Sequence, residues 1–440
     1  MSKATGFLAK IKKIGKVLGP GLITGASDDD PSGIATYSQA GARFGLKTLW
    51  TSLLAFPLRV SIQEMCARIG VVTSVGLTTT LKNHYPKWLL FFVMIFSVPA
   101  IILNIGADVT GMAAVSHMMI PAVPPIVFSI GFTLLLLWLI IYLPYDKIVS
   151  ILKYLCLSVL LYIVVPFFTR PHWNDVFKHL FIPTISFNKE FFSIMVAILG
   201  TTISPYLFFW QVTMEAEDVT KARKVVLARR RLMGYDKKQT KRHEKSFIKY
   251  LLGKMQLDVN IGILLSTMVM FFIMLATGTA LFGNGVHQID TVEQAAKALE
   301  PVAGKASYAL FALGVLGTGL LTVPVLSGAL SYIVAETFSW KASLDKKYWQ
   351  VKEFYIVIGL ALASALTINF LGVSPIQALY YTAILYGIVS PILIGVILHI
   401  GNNKKILKEH TNGKLSNTLG VLTLVLMLSS AAALIYFQFF

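Results

Sequence analysis

Residues 28–33, three aspartates followed by Pro-Ser-Gly, lie inside the first apolar segment of a chain that is rich in such segments. A carboxylate at membrane depth is costly and marks a functional position by default. The proline and the glycine interrupt the helix, and every carbonyl that the break frees needs a partner. A bound cation is such a partner. This stretch therefore predicts an ion site at a break in a transmembrane helix.

A second interruption, Gly-Thr-Thr-Ile-Ser-Pro-Tyr at residues 200–206, lies in the sixth apolar segment. Paired breaks at corresponding positions in two halves of a chain are typical of inverted-repeat transporters. We expect the Ser204 hydroxyl and the Thr201 carbonyl to contribute to the same site. The alternative for these two residues is ordinary packing or backbone hydrogen bonding within a membrane helix.

The two breaks together offer oxygen ligands, which suit Mg²⁺, Ca²⁺ or Mn²⁺ better than softer metals. Asp30, directly before the proline, is our first choice of direct ligand, and the alternative is that it caps the broken helix. Consecutive helical residues diverge by about 100°, so Asp28 and Asp29 cannot face the same ion equally. They are expected to bind through water, line the access path, cap the helix or pair with Arg59. The predicted metal-site residues are Ser27, Asp28, Asp29, Asp30, Gly33, Thr201, Ser204 and Tyr206.

Further ionisable residues fall within apolar segments, among them Asp108, Arg59, Glu64 and Glu336. Asp108 is a possible proton relay. Arg59 and Glu64 are five residues apart, which places them on different helix faces. We therefore expect each of the two to pair with a residue elsewhere rather than with the other.

Composition places the chain in the membrane. It has 440 residues, of which 55% are hydrophobic and only 14% charged, as expected of an all-α polytopic membrane protein. The net charge of +18 is concentrated in a few segments, so it does not indicate nucleic-acid binding. No cleavable signal peptide is expected, because no small-residue cleavage pattern follows the basic N-terminus. Cys66 and Cys156 both fall in apolar segments and are expected to pack there.

About eleven apolar runs are long enough to span a bilayer. The predicted spans are 17–41, 45–69, 87–118, 122–144, 147–168, 190–213, 255–283, 305–337, 354–372, 376–400 and 415–438.

These spans divide into a basic N-terminal segment (1–16), a first repeat (17–168), a second repeat (190–400) and a last helix (415–438). The segment 221–254 within the second repeat is predicted to be a basic loop with thirteen Lys or Arg residues. All basic segments fall on one side if the N-terminus is cytoplasmic, which places the C-terminus outside. The expected location is the cell membrane, with the lipid bilayer as surroundings and the chain as a monomer.

Several motifs resemble the NRAMP divalent-metal transporters. They are Gly-Pro-Gly at 19–21, Asp-Pro-Ser-Gly at 30–33, Gln-Ala-Gly-Ala at 39–42, Ala-Arg-Ile-Gly-Val-Val-Thr at 67–73 and the sixth-segment motif at 198–206. The similarity extends from about residue 17 to 438. It implies a leucine-transporter-type fold with a 5+5 inverted repeat and broken helices 1 and 6, which agrees with the paired interruptions.

The departures from the family pattern concern the ligands. The family's metal-binding Asp falls on Asp30 and is kept, whereas its Asn partner falls on Gly33 and its methionine falls on Ser204. A thioether favours softer transition metals over Mg²⁺, so its loss removes that discrimination. The chain in this respect resembles the NRAMP-related magnesium transporters, which implies transport of Mg²⁺ and also Mn²⁺ as partly hydrated ions.

The residues that the family uses for proton transfer are also altered. The sixth-helix His falls on Tyr206, and the acidic pair of the third helix is reduced to Asp108 because its Glu falls on Gly111. The tenth-helix Gln falls on Val389. The resemblance therefore implies transport without proton coupling, with a divalent ion as substrate and no resident cofactor.

Other functions remain as alternatives. The first is a proton-coupled Mn²⁺ or Fe²⁺ symporter of the ordinary NRAMP kind. An intramembrane Mg²⁺ enzyme would need a second carboxylate cluster or a paired His motif, and neither is present in the sequence. A sodium-coupled amino-acid carrier shares the implied fold, but three aspartates would repel the carboxylate of its substrate. We therefore expect a transporter and not an enzyme.

Overall fold

The computed structural model describes residues 20–143, 147, 162–232, 237–370 and 372–439, and the regular structure in these ranges is helical throughout. In chain order the α-helices are α1 (Pro20–Asp28), α2 (Pro31–Phe44), α3 (Trp50–Thr73), α4 (Leu77–His84), α5 (Lys87–Met119), α6 (Pro125–Tyr142), α7 (Val165–Thr169), α8 (Trp173–Phe181), α9 (Lys189–Thr202), α10 (Pro205–Leu232), α11 (Lys237–Ala280), α12 (Val292–Ala296), α13 (Glu300–Ala303), α14 (Ser307–Thr337), α15 (Lys352–Ala365), α16 (Pro375–Asn402), α17 (Lys404–Leu407) and α18 (Lys414–Phe439).

The predicted interruptions are confirmed as the two helix breaks. The first separates α1 from α2, and the second separates α9 from α10. In both cases the second half begins with a proline, Pro31 or Pro205. Proline fits the first position of a helix, where no hydrogen bond from its nitrogen is needed, and it forces the preceding residue out of helical conformation.

Eight stretches of the described residues are long and apolar enough to cross a membrane. The two halves of the first broken helix have nine and fourteen residues, so neither reaches that length alone. Helix α3 carries Arg59, Glu64 and Arg68 and is not among the eight either. The predicted span 147–168 lies largely outside the described residues. The multi-pass architecture expected from the sequence is therefore confirmed.

The prediction of a loop at residues 221–254 is wrong. Helix α10 continues to Leu232 and α11 begins at Lys237, so both helices extend well beyond the apolar segments. The physical reason is that Ala, Glu, Lys and Arg are good helix formers, and the segment from 205 to 232 has no internal proline or glycine to end the helix. High charge ends a membrane span but does not end a helix.

The broken helices form the centre of the bundle. The most apolar part of the segment Lys189–Lys224 is 89% buried, compared with 22% for α6 and α18 at the periphery. Gly21 and Gly25, one turn apart on α1, face α11 so closely that a Cβ on either would overlap the backbone of Val259 or Gly262. Such small-residue contacts let membrane helices approach closely. Cys66 is buried and unpaired, as expected for a packing residue, and Cys156 lies outside the described residues.

Candidate metal site

Asp30 fixes the first helix break. Its backbone is extended, with φ −70° and ψ 171°, as favoured for a residue before proline. Its Oδ1 accepts hydrogen bonds from the Gly33 amide at 2.6 Å and from the Ser32 hydroxyl at 2.7 Å, which caps α2. The side chain is only 2% exposed. Asp30 therefore fulfils the capping alternative and at the same time presents a buried carboxylate at the break.

A second helix reaches the same carboxylate from α5. The Asn104 side-chain amide donates a hydrogen bond of 3.1 Å to Asp30 Oδ2. Asp108, one turn further along α5, is fully buried, and no group of the described residues completes a well-formed hydrogen bond to either of its oxygens. Asp108 was predicted from the sequence, whereas Asn104 was not. The available signal was the spacing of four, which places both polar side chains on one face of an otherwise apolar helix.

The second break lies directly beside the first. The Ser204 hydroxyl donates to the Thr201 carbonyl at 2.7 Å and approaches the Gly200 carbonyl at 3.2 Å. The Thr201 hydroxyl lies 3.4 Å from the Ser32 hydroxyl across the interface between the two broken helices. Because Ser204 uses its proton within its own break, its oxygen lone pairs remain available as acceptors.

Gly33 lies at the point where the two breaks meet. A Cβ at this position would lie 3.3 Å from Asp30 Oδ1, 3.3 Å from the Thr201 hydroxyl and 3.4 Å from the Asp28 carbonyl. A side chain on residue 33 would therefore point into the group of oxygens that the sequence analysis selected. In this conformation even one added carbon atom at residue 33 would require these oxygens to shift by a few tenths of an ångström.

Tyr206 ties the two broken helices together. Its hydroxyl donates to the Ser27 carbonyl at 2.7 Å, and the Thr322 hydroxyl of α14 approaches the same carbonyl at 3.2 Å. The Ser27 carbonyl, freed by the end of α1, thus has protein donors. The Ser27 hydroxyl is buried without a partner among the described residues. Thr322 is a further site residue that the sequence analysis did not find.

Asp28 and Asp29 are directed away from Asp30, toward α3 and α11. Asp28 forms an ion pair with Arg59, and the Ser266 hydroxyl lies 3.1 Å from Asp28 Oδ2 and 2.9 Å from Asp29 Oδ1. Among the alternatives left open by the sequence, pairing with Arg59 is therefore the observed state of Asp28. The role of Ser266 was not predicted.

Glu64 does not pair with Arg59, as expected from their spacing. Its carboxylate lies 4.0 Å from Arg68 and accepts a hydrogen bond of 3.1 Å from Asn260. Arg59 and Glu64 therefore belong to separate networks, and of the charged residues of α3 Arg59 is the one that reaches the helix break.

A cavity of about 280 Å³ lies beside the first turn of α1, and both acidic residues (Glu215, Asp218, Asp258) and basic residues (Lys221, Lys254) line it. At this cavity Glu215 accepts a hydrogen bond of 3.0 Å from Gln211 of the same helix, and Gln211 accepts one from Thr24 of α1. These hydrogen bonds join the first turns of α1 to α10 beside the cavity.

The donors gathered at the breaks are carboxylate, hydroxyl, carbonyl and amide oxygens, which suit a hard cation. Within the described ranges, no three His, Cys, Asp or Glu side chains converge as a preformed metal cluster. A site with one capping carboxylate and the ends of two broken helices is the arrangement of a secondary transporter, in which the ion binds near the bilayer midplane. The fold and the site therefore define a membrane transporter of the leucine-transporter fold.

The chain belongs to the family described as natural resistance-associated macrophage protein-like, whose model matches residues 21–437. This confirms the family resemblance and, with it, a transporter rather than an enzyme, in which the metal ion is cargo and not a resident cofactor. A relative named divalent metal cation transporter MntH, from Caldanaerobacter subterraneus subsp. tengcongensis, is 24% identical over 435 residues, covering 97% of this chain and 94% of the relative. A second MntH, from Klebsiella pneumoniae (strain 342), is 24% identical over 70% of this chain and 69% of its own length.

Solved structures confirm the fold. The manganese transporter of Eremococcus coleocola, in complex with an aromatic bis-isothiourea compound, superposes with a TM-score of 0.70 at 19% identity, covering 96% of this chain and 87% of that one. The more distant transporter MhsT, in complex with L-phenylalanine, gives a TM-score of 0.55 at 11% identity, covering 95% and 97%.

Proposed function

We propose that the protein carries Mg²⁺, and also Mn²⁺, across the membrane by alternating access, as partly hydrated ions and without proton coupling. The observation that carries this proposal is the buried Asp30 carboxylate at the meeting point of two helix breaks, among oxygen ligands. Mg²⁺ is held in proteins by few carboxylates and usually keeps several waters. The family relationship supports a divalent ion, and the relatives named MntH and manganese transporter support Mn²⁺ as one of the ions.

Asp30 is the proposed direct ligand, with oxygens of Thr201 and Ser204 as its partners from the second break. The absence of a side chain on Gly33 and the hydroxyl on Ser204 favour an ion that keeps part of its water over one held by a thioether. Because the space beside Asp30 is narrow in the observed conformation, we propose that the two broken helices separate when the hydrated ion enters.

The surroundings of two altered positions support transport without proton coupling. The Tyr206 hydroxyl is engaged with the Ser27 carbonyl at 2.7 Å. A Cβ on Gly111 would contact the apolar Leu379 at 3.0 Å, so this position faces hydrocarbon rather than a proton carrier. The membrane potential contributes about 2.3 kcal/mol per charge per 100 mV, so a divalent ion can be drawn inward without a proton.

We propose a cytoplasmic N-terminus, an external C-terminus and a monomer. Contacts between the basic segments support this topology. Lys82 donates to the Thr337 carbonyl at 2.7 Å, Lys221 forms an ion pair with Asp345, and Arg68 donates to Asn412 at 2.8 Å. These contacts bring four positively charged segments to one end of the bundle, in agreement with the positive-inside rule.

Liposome transport with an inside-negative potential tests the proposal. Mg²⁺ and Mn²⁺ entry are recorded with luminal indicators, and luminal pH is recorded in parallel with a pH dye. We expect entry of both ions without acidification, and no entry with Asp30→Ala. Unchanged Mg²⁺ entry through Asp30→Ala would show that the proposed site is wrong.

One observation favours a second candidate, a proton-coupled Mn²⁺ or Fe²⁺ symporter. The buried Asp108 carboxylate lacks a well-formed hydrogen bond among the described residues, and such a group is a candidate proton carrier in a membrane protein. In the same liposomes, metal-driven acidification that disappears in Asp108→Asn would establish this mechanism in place of the uncoupled one.

A further inference from the structure

Arg59 is a fully buried cation at the centre of the bundle. It lies in α3 with 1% exposure, and its guanidinium reaches both α1 and α11. One terminal nitrogen donates to the Ser266 hydroxyl at 2.8 Å and pairs with Asp28, and the other donates to the Thr267 hydroxyl at 3.0 Å. A charged arginine at membrane depth costs free energy unless nearby groups compensate its charge. Such residues usually mark functional positions.

Apart from the protons that Arg59 donates, few protons reach the oxygens around its guanidinium. We call Asp28, Asp29, Ser266 and Thr267 the oxygen cage. A serine hydroxyl has a single proton, yet Ser266 lies within hydrogen-bond distance of a carboxylate oxygen of both Asp28 and Asp29. The Thr267 hydroxyl donates its proton to the Ile263 carbonyl at 2.7 Å, so only its lone pairs face Arg59.

A further unsatisfied atom points to a cation. Asp28 Oδ1 is buried and has no hydrogen-bond partner among the described residues. Two carboxylates and two hydroxyls with few protons make a set of hard oxygen ligands, which a divalent cation would satisfy in the same way as it does in oxygen-lined sites. The guanidinium is the cation that now fills this position.

The oxygen cage is separate from the Asp30 site. The Asp30 carboxylate is directed toward the start of α2 and toward Asn104 of α5. The Asp28 carboxylate is directed instead toward α3 and α11. Two cation positions therefore adjoin the same helix break, and a covalently attached charge occupies one of them.

We propose that Arg59 is a tethered cation that fills the oxygen cage, and that its loss turns the cage into a second divalent-cation site. Arg59 thereby limits the break to one mobile ion, at Asp30. The proposal concerns the number of ions bound and does not depend on which divalent ion the protein carries.

The competing interpretation is purely structural. An ion pair between α1 and α3 joins two helices, and breaking a buried pair by removing one partner is strongly destabilising. Under this interpretation Arg59→Met weakens the fold and no cation compensates. Under our proposal a divalent cation takes the place of the lost charge, and ligand binding to the folded state restores stability.

Isothermal titration with MgCl₂ and CaCl₂ on the purified full-length protein distinguishes the two, with thermal melting in choline chloride as the reference. We expect one Mg²⁺ per chain in the parent and two in Arg59→Met. The melting temperature of Arg59→Met should also be lower than that of the parent in choline chloride and should recover in MgCl₂.

Two control variants complete the test. Arg59→Lys keeps a tethered cation and should bind one ion. Arg68→Met is the matched control on the same helix, because Arg68 contacts Glu64 and Asn412 and does not reach the break.

Asp30→Ala separates this proposal from the proposed function. Asp30→Ala alone should bind no Mg²⁺, and Arg59→Met/Asp30→Ala should bind one in the oxygen cage. If Asp30→Ala retains its ion, the Asp30 site is wrong, but a gain of one ion on adding Arg59→Met still supports the oxygen cage.

The proposal is overturned if Arg59→Met binds as many Mg²⁺ and Ca²⁺ ions as the parent. It is also overturned if this variant is unfolded in both salts while Asp28→Asn/Arg59→Met, which lacks both charges, folds and binds one ion. That pair of results would establish a purely structural ion pair.

Discussion

The two helix breaks both leave backbone groups without their helical partners, and different side-chain chemistry surrounds each break. At the first break, a carboxylate caps the new helix and two more aspartates surround the end of α1. At the second break, the Ser204 hydroxyl returns to the Thr201 carbonyl, and the side chains are neutral. Both breaks free backbone oxygens, which a cation can use. The charge that holds a cation, however, comes from the first break alone.

This difference predicts separate roles. The first break should determine whether a cation binds, and the second should have the larger influence on which cation is preferred. Tyr206 joins the two through the Ser27 carbonyl, so it should affect the stability of the closed state more than the choice of ion. Four substitutions test this assignment, in order of decreasing effect.

Asp30→Asn should have the largest effect. The amide oxygen can still cap α2, so the melting temperature should change little. The negative charge is lost, and a charge-assisted contact in a buried site is worth about 3 kcal/mol, so Mg²⁺ affinity should fall on the order of 100-fold. Titration calorimetry on the purified protein measures this change. A variant that binds Mg²⁺ with parental affinity would place the binding charge elsewhere.

Ser204→Met should change ion preference rather than binding as such. A thioether next to Asp30 favours Mn²⁺ over Mg²⁺, and we expect the ratio of the two affinities to shift by about tenfold, or about 1.4 kcal/mol. Ser204→Leu has similar bulk without sulfur and serves as the control. Equal shifts in both variants would show that size and not ligand chemistry is responsible.

Tyr206→Phe should destabilise the closed arrangement modestly. It removes the hydroxyl that donates to the Ser27 carbonyl, a loss of about 1 kcal/mol for one hydrogen bond, while the Thr322 hydroxyl remains as a donor. Thermal melting without divalent ions measures the effect. Tyr386→Phe is the control, because its ring lies 5.9 Å from that of Tyr206 and its hydroxyl has no partner among the described residues. Similar losses in both variants would contradict a specific role for Tyr206.

The sequence was sufficient for the positions of the breaks, because Asp-Pro and Ser-Pro are local signals whose effect on the backbone does not depend on the rest of the fold. It was not sufficient for the partners of the aspartates. Asp28 contacts Ser266, 238 positions away, and Asp30 contacts Asn104, 74 positions away. Such contacts depend on how helices are rotated and packed, which apolar run length does not reveal. The same limitation explains the wrong loop at 221–254, where hydropathy marked the membrane boundary and not the end of the helix.

Gly33→Ala should give the smallest of the four effects. It tests whether the space at the meeting point of the breaks influences the preference between Mg²⁺ and Mn²⁺. The added Cβ would lie 3.3 Å from both Asp30 Oδ1 and the Thr201 hydroxyl, close enough that these atoms must move by a few tenths of an ångström. A strongly hydrated ion needs more room than one that sheds water readily. Mg²⁺ transport should therefore fall about threefold relative to Mn²⁺, corresponding to about 0.7 kcal/mol. Competition between the two ions in liposomes measures this ratio directly.

Gly253→Ala is the control, because a Cβ there meets no atom within 4 Å, and it should leave the ratio unchanged. An equal loss of transport for both ions in Gly33→Ala would contradict this assignment. That result would show that the missing side chain at residue 33 is needed for packing of the two broken helices and not to leave room for the hydration shell of the ion.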